Sequence, residues 1–258
     1  MRVAVISDVH ARADALAGAV AGADAVVCLG DLVLFLDYHD HAQGIMGSLF
    51  GAEAVGRFVA LRTARRFEEA RAFSRSLWEG TGEDRQALVT REVRRQYDEQ
   101  LGALAATGLP TYLTYGNVDV PPVLREALPP GLRLLDGETV DIGGKVFGFV
   151  GGGLPSPMRT PYEVSEADYA AALARVGAVD VLAVHVPPAV PELLYDVAAR
   201  RFERGSDATL ELVRETQPEH VLFSHVHQPL APRLRLGRTE AVNVGHFRQT
   251  RQAYLLEW

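Results

Sequence analysis

The 258 residues are 48% apolar and 23% charged, an ordinary balance for a globular protein that excludes a disordered or fibrous chain. The net charge of -7 argues against general nucleic-acid binding, because a phosphate backbone is usually met by a basic surface. Cys28, the only cysteine, excludes an internal disulfide and favours a cytoplasmic location. No signal peptide or membrane span precedes Asp8, so we expect no membrane partner.

The first thirty residues predict a strand, a helix and a second strand. Residues 2–7 and 25–29 are short apolar runs, typical of buried strands, and residues 11–21 between them are suited to a helix. Two such strands joined by a helix indicate a parallel pair covered on both faces. Sheets of this kind bind ligands beyond the carboxyl ends of their strands.

The rest of the chain predicts an α/β protein with one large insertion. Further apolar segments predict strands at 111–114, 145–150, 179–184, 220–223 and 253–256. Before them, Phe67, Ala70, Phe73 and Leu77 recur at helical spacing, and residues 84–104 are rich in helix formers. We therefore expect a single domain over residues 1–258, with a mostly helical insertion, or cap, at about residues 38–106.

Metal-binding side chains follow the first two strands. Asp8 and His10 are two residues apart at the end of the first strand, so the alternation of a strand points both side chains the same way. Gly30 and Asp31 end the second strand. Adjacent strands would bring Asp31 beside Asp8, where one carboxylate could bridge two cations that prevent the acids from repelling each other. Each motif alone is also typical of a turn.

The third motif, Gly-Asn-Val-Asp over residues 116–119, follows the strand at 111–114. These residue types favour turns, which is the simplest interpretation of the segment by itself. In a metal site, the amide oxygen of Asn117 is a neutral ligand, and Asp119 could support the ligands from behind.

Three histidines follow the last two buried strands. His185 ends the strand at 179–184, and His225 and His227 follow the strand at 220–223 as a His-x-His pair. A single histidine at a strand end is usually a surface or core residue, but two imidazoles on one face favour metal binding.

The set of motifs is more informative than any member, because all five stand at predicted strand ends. Six or seven nitrogen and oxygen ligands around a shared carboxylate, without a thiolate, suit a dinuclear site for divalent Mn, Fe, Zn or Ni.

The motifs resemble those of the calcineurin-like metallophosphoesterase superfamily, which are Asp-x-His, Gly-Asp, Gly-Asn-His-Asp/Glu, His and Gly-His-x-His. Over residues 2 to about 245, outside the insertion, they stand as Asp8-Val9-His10, Gly30-Asp31, Gly116-Asn117-Val118-Asp119, His185 and Ser224-His225-Val226-His227. The resemblance implies two ligand groups and one bridge: Asp8, His10 and His227 for one metal ion, Asn117, His185 and His225 for the other, and Asp31 between them.

The resemblance also implies a fold and a reaction. The fold is a four-layer α/β/β/α sandwich of two mixed sheets with the helices outside. The reaction is hydrolysis of a small phosphate-ester substrate by a hydroxide that bridges the two metal ions, with Asp31 and Asn117 as catalytic residues. No covalent phosphoenzyme is then expected.

The sequence departs from the superfamily pattern at Val118, where many members carry a histidine that contacts the phosphate and helps the leaving group depart. His39 or His41 is predicted to supply the leaving-group proton instead, although both also fit a solvated surface. Arg12 and His246 are predicted to bind the substrate; an exposed arginine at the start of a helix is the alternative for Arg12. The missing imidazole favours phosphodiesters over phosphomonoesters.

Two other functions remain open for such a chain. One is a non-catalytic scaffold or binding protein that keeps the fold, against which the intact ligand set argues. The other is a signalling protein phosphatase, for which the sequence shows no regulatory segment. The sequence leaves the physiological substrate, the native metal pair and the oligomeric state open.

Overall fold

The computed structural model describes residues 1–156, 160 and 162–258. Its strands are β1 (Arg2–Ile6), β2 (Ala25–Cys28), β3 (Thr111–Leu113), β4 (Leu132–Leu134), β5 (Glu138–Ile142), β6 (Lys145–Val150), β7 (Val181–Val184), β8 (Tyr195–Asp196), β9 (Arg201–Phe202), β10 (His220–Phe223), β11 (Arg233–Leu236), β12 (Thr239–Asn243) and β13 (Tyr254–Glu257). Its helices are α1 (Ala13–Ala19), α2 (Gly44–Thr63), α3 (Phe67–Glu79), α4 (Arg85–Ala105), α5 (Pro121–Ala127), α6 (Glu166–Val176), α7 (Pro191–Leu194), α8 (Asp207–Thr216) and α9 (Phe247–Thr250).

The strands form two mixed sheets, as the sequence predicts. The first has the order β13-β1-β2-β3-β4, in which β13 is antiparallel to β1 and the other neighbours are parallel. The second has the order β11-β12-β10-β7-β6-β5, in which the four central strands are parallel and the two edge strands are antiparallel. The short strands β8 and β9 pair separately.

The two sheets pack face to face, with helices on their outer faces. On β1, Val3 and Val5 lie in a buried cluster with Phe149 of the other sheet, which forms the layer between the sheets. Ile6 points to the opposite face and lies in a cluster with residues of α1, α4 and α5. Leu182 of the second sheet packs with residues of α6 and α8. The predicted α/β/β/α sandwich is therefore confirmed.

The predicted strands are β1, β2, β3, β6, β7, β10 and β13, and each lies within about two residues of its observed position. All of them except the edge strand β13 are largely buried. The sequence pattern missed β4, β5, β8, β9, β11 and β12. The edge strands β5 and β11 have no continuous apolar run, because exposed and covered residues alternate along much of their length.

Three helices, α2 to α4, lie between β2 and β3 and confirm the mostly helical insertion. Helix α4 packs on the core through Leu101 and Leu104, whereas α2 packs mainly in a separate buried cluster with α3 and α4. By length and composition α2 is apolar enough to cross a membrane. Its backbone leaves the helical region at Gly51 (φ 76°, ψ 162°), so neither part approaches the roughly 20 residues that a continuous span needs.

Candidate metal centre

Six loops that follow strands converge at one edge of the sandwich. Asp8 follows β1, Asp31 follows β2 and Asn117 follows β3 in the first sheet. His185 follows β7 and His225 follows β10 in the second sheet. All five strands are parallel within their sheets, so their carboxyl ends meet at the same edge. The sixth loop, after β12, carries His246.

Several residues of these loops have an unusual backbone. Asp8, His10, Asp31 and His225 all have φ between 42° and 63°, in the left-handed region that side chains other than glycine rarely adopt. Each such residue costs on the order of 1–3 kcal/mol and persists only where surrounding contacts hold it. Here the Asp8 amide donates to Gly30 O (3.0 Å) and the His10 amide donates to Asp31 O (3.0 Å). These two bonds tie the first two loops together.

One group of polar atoms surrounds Asp8. Its Oδ1 lies 3.2 Å from Nε2 of His227 and 3.7 Å from Nε2 of His10. The other ring nitrogen of His10 contacts the carbonyl of Val33 at 2.9 Å, which leaves Nε2 directed at the acids. Asp8 Oδ1 is buried and makes no hydrogen bond among the described residues. A cation between these atoms would satisfy it.

A second group surrounds the side-chain oxygen of Asn117. Oδ1 lies 3.1 Å from Nε2 of His185 and 2.9 Å from Nδ1 of His225. The remaining ring nitrogen of His185 contacts Leu29 O at 3.1 Å. Both imidazoles therefore present a nitrogen to the same point as the amide oxygen.

Asp31 lies between the two groups. Its Oδ2 is 3.4 Å from Nε2 of His185 and 4.0 Å from Nε2 of His10. Its Oδ1 accepts a hydrogen bond from the amide of Val118 at 3.0 Å, which fixes the orientation of the carboxylate. The structure thus brings together all seven residues that the sequence predicts as ligands.

Burial and neighbouring charges shift the pKa values of the acids and imidazoles in this centre. Burial raises the pKa of Asp8, but the His10 and His227 rings outweigh it and hold that pKa well below its ordinary value. Burial lowers the pKa of His185, yet the charge of Asp31 raises it to about 9. Burial and the neighbouring His185 lower the pKa of His225 to about 4. The two carboxylates therefore favour positive charge beside them, at His185 in particular.

Behind the ligands, the buried carboxylate of Asp119 joins two loops. Its Oδ2 accepts from the amides of Asp31 (2.7 Å) and Gly116 (2.9 Å), and its Oδ1 accepts from the amide of Leu32 (3.0 Å). Burial and the charge of Asp31 raise the pKa of Asp119. Asp119 thus supports the ligands from behind, the position proposed for it from the sequence.

His246 lies against the first group. Its ring stacks on His227 with centroids 3.9 Å apart and an interplanar angle of 13°, and it meets the edge of His10 at 5.6 Å. One nitrogen each of His10, His227 and His246 lies within 4.8 Å of the others. The His246 Nε2 atom is buried and has no hydrogen-bond partner among the described residues. The amide of Phe247 donates to Ser7 O at 3.0 Å, which fixes this loop beside the centre.

The other residues predicted for substrate binding and proton transfer are Arg12, His39 and His41. Arg12 precedes α1, and its Nε is buried without a hydrogen-bond partner in the described structure. His39 is exposed in a turn, and its amide donates to Asp37 (2.8 Å). His41 packs beside α2, where a Cβ at Gly56 would lie 2.8 Å from its Nδ1. Neither His39 nor His41 belongs to a metal-ligand group of the described residues.

Sequence reasoning missed two residues that hold the ligand loops. Arg248 donates to the carbonyl of His10 (2.6 Å) and forms an ion pair with Asp37, so it ties the loop after β12 to two others. The Ser224 hydroxyl donates to Asp8, where the superfamily motif has glycine. Neither role has a local sequence signal, because both partners are distant in the chain.

Comparison with known proteins agrees with this geometry. A family model described as calcineurin-like phosphoesterase matches residues 1–229. One solved chain is similar at a TM-score of 0.64 and 16% identity, over 99% of this chain and 98% of that chain. The structure of TT1561 of Thermus thermophilus is similar at a TM-score of 0.57 and 14% identity, over the same shares of the two chains. At these identities the likeness shows the fold alone. No curated protein matches.

Proposed function

Because the chain belongs to the calcineurin-like phosphoesterase family, we propose that this metal-dependent phosphoesterase uses two divalent ions held by the seven clustered ligands. The observation that carries the proposal is the position of Asp31. One oxygen of its carboxylate lies 3.4 Å from Nε2 of His185 and 4.0 Å from Nε2 of His10, between the two ligand groups. A carboxylate in this place is suited to bridge two cations.

The donor atoms fit such ions. They are nitrogens and oxygens without a thiolate, a set that suits divalent Mn, Fe, Zn or Ni. Val33 O and Leu29 O contact Nδ1 of His10 and of His185, so that Nε2 of each ring faces the centre. Bound ions would supply a water nucleophile at neutral pH and positive charge for the phosphoryl oxygens.

His246 contacts the substrate phosphoryl group in this proposal, and His227 is the metal ligand. An imidazole nitrogen donates in its ring plane, and the two rings are nearly parallel, so their lone pairs cannot converge on one ion. The Nε2 of His227 faces Asp8 at 3.2 Å, whereas the Nε2 of His246 has no partner in the described residues. Burial and the neighbouring His227 lower the pKa of His246 to about 4, so the neutral ring keeps an N–H to donate.

Arg12 and one further histidine complete the proposed substrate contacts. The Nε of Arg12 lies 4.0 Å from Asp14 Oδ1 and makes no hydrogen bond among the described residues, so it offers a charged donor to a phosphate oxygen. His39 or His41 supplies the leaving-group proton. The Ala variant of whichever histidine acts should slow alkyl phosphate esters far more than nitrophenyl esters, whose leaving group needs no proton. Equal slowing of both ester types would remove that residue from the mechanism.

The substrate class that we propose is a phosphodiester. The side chain of Val118 has no hydrogen-bond donor, and its backbone amide already donates to Oδ1 of Asp31. We therefore expect a higher kcat/KM for bis-nitrophenyl phosphate than for nitrophenyl phosphate. A higher value for the monoester would overturn this preference.

Metal counting tests the dinuclear centre directly. After treatment with EDTA, the full chain should bind two Mn²⁺ ions in a calorimetric titration and regain turnover of bis-nitrophenyl phosphate. Asp31→Asn should lose most of this binding, whereas Asp207→Asn, at an exposed position in α8, should behave like wild type. A wild-type chain with neither bound metal nor Mn²⁺-dependent turnover would favour the non-catalytic scaffold.

A further inference from the structure

Helix α4 of the insertion carries two buried polar side chains that do not serve the helix itself. Gln96 is 1% exposed and Tyr97 is fully buried, although both stand in a helix with many charged residues. Buried polar groups are costly unless they are hydrogen-bonded. The partners of these two side chains belong to the loops that carry Asp31 and Asn117.

The hydroxyl of Tyr97 joins the end of the third motif to α4. It donates to Oδ1 of Asp119 (3.1 Å) and accepts from the amide of Val120 (2.7 Å). Asp119 in turn accepts from the amides of Asp31 and Gly116, one in each ligand loop. Burial and the charge of Asp119 raise the pKa of Tyr97, so the hydroxyl keeps the proton that it donates.

The amide of Gln96 holds the chain beyond Asp31. Its Oε1 accepts from the backbone N–H of Leu34 (2.8 Å), and its Nε2 donates to the carbonyl of the same residue (3.0 Å). Two bonds to one backbone residue fix both its position and its orientation. Leu34 is three residues from Asp31, so α4 restrains the path by which the chain leaves the centre.

We propose that α4 sets the geometry of the metal centre, with Tyr97 and Gln96 as positioning residues that act through Asp119 and Leu34. The insertion is then a structural part of the centre. Packing alone does not account for the hydroxyl, because phenylalanine would fill nearly the same volume without a polar group to satisfy. The metal-binding part of this inference rests on the proposed function.

Tyr97→Phe tests the inference, because it removes one oxygen and keeps the ring. Tyr169→Phe is the matched control: Tyr169 is 1% exposed and lies in α6, on the other sheet. In metal-free full-length protein, the amides of Asp31 and Gly116 should exchange with deuterium at least tenfold faster in Tyr97→Phe than in Tyr169→Phe. Equal exchange in the two variants would overturn the inference whether or not the protein binds metal.

A second measurement uses Co²⁺ as the metal probe. Tyr97→Phe should bind Co²⁺ at least tenfold more weakly than wild type, with a changed visible absorption spectrum, and Gln96→Met should act in the same direction. Tyr169→Phe should keep both the affinity and the spectrum. If Tyr97→Phe is less stable than wild type but keeps the wild-type Co²⁺ affinity and absorption spectrum, then Tyr97 contributes only to packing and the inference is wrong. A wild-type chain that binds no Co²⁺ would contradict the proposed function, while the exchange experiment would still decide the role of α4.

Discussion

Gly116→Ala provides a sharp test of the centre, because it changes no ligand. A Cβ at this position would lie 2.0 Å from Oδ1 of Asp31 and 2.6 Å from its Cγ. A Cβ contact is essentially never shorter than 3.0 Å, so the carboxylate must retreat by about 3.0 - 2.0 = 1 Å. Functional groups need to be held within about 0.5 Å of their productive positions. The substitution should therefore displace the residue that lies between the two ligand groups.

The expected cost of Gly116→Ala follows from the contacts that it disturbs. Overpacking a rigid buried site costs about 1–3 kcal/mol. The hydrogen bond from the Val118 amide to Asp31 Oδ1 would also be broken, which costs about 1–3 kcal/mol if the buried groups find no new partner. Both of these are costs in folding free energy. Metal binding should weaken by roughly 10- to 100-fold, the usual effect of disturbing the contacts that orient metal ligands.

Gly102→Ala is the control for this substitution. Gly102 lies in α4, and a Cβ there would meet nothing within 4 Å, so the protein should gain about 0.4–1 kcal/mol of stability. Urea unfolding and a Mn²⁺ titration of both variants would measure the two effects. If Gly116→Ala binds Mn²⁺ as tightly as wild type, Asp31 does not need its observed position and the bridging role is wrong.

Four further predictions concern charge. In metal-free protein the pKa of His185 is raised to about 9, so binding of Mn²⁺ must displace a proton from this ring. The apparent affinity for Mn²⁺ should therefore rise with pH up to about 9, and an affinity that does not change with pH in buffered titrations would contradict this. The raised pKa of His185 also stabilises the metal-free fold. This stabilisation is fully present below pH 6.5 and is lost as the pH rises through about 9, and urea unfolding midpoints would measure it. Burial raises the pKa of Cys28 to about 12, so iodoacetamide should label this thiol only after unfolding, and rapid labelling of folded protein would refute its burial. Arg248→Ala leaves Asp37 without its partly buried partner and should lower stability by about 1.5–3 kcal/mol, the usual worth of a hydrogen bond to a charged group. Arg66→Ala at an exposed ion pair should leave the melting temperature unchanged, and equal melting temperatures of the two variants would contradict the prediction.

The clustering of the candidate ligands could be predicted from the sequence because each of them follows a largely buried strand. Such strands are visible as apolar runs, and the parallel strands β1 and β2 end at one edge, so Asp8 and Asp31 were expected to lie close together. His185 follows a strand of the second sheet, and the packing of the two sheets brings it to the same edge. The metal-binding nitrogen of each imidazole could not be predicted. That choice depends on carbonyls such as Val33 O, which only the folded chain brings to the ring.

The contacts of His246 depend on parts of the fold with weaker sequence signals. This residue follows β11 and β12. The edge strand β11 alternates exposed arginines with partly buried leucines, so its sequence contains no apolar run. Gln96 and Tyr97 were harder to recognise, since polar residues in a charged helix suggest a solvated face. Only burial of that face against the ligand loops distinguishes them from their exposed neighbours.

The strained backbone explains why the centre needs support from so far along the chain. A left-handed residue such as Asp31 would relax toward ordinary conformations if its neighbours let it move. Its amide is bonded to Asp119, and Asp119 is bonded to Tyr97 of the insertion. The strain at Asp31 is therefore opposed by contacts with another loop and with α4, so the geometry of the centre belongs to the tertiary structure as a whole. This is why strand-end motifs predict which residues meet and give no information about what holds them there.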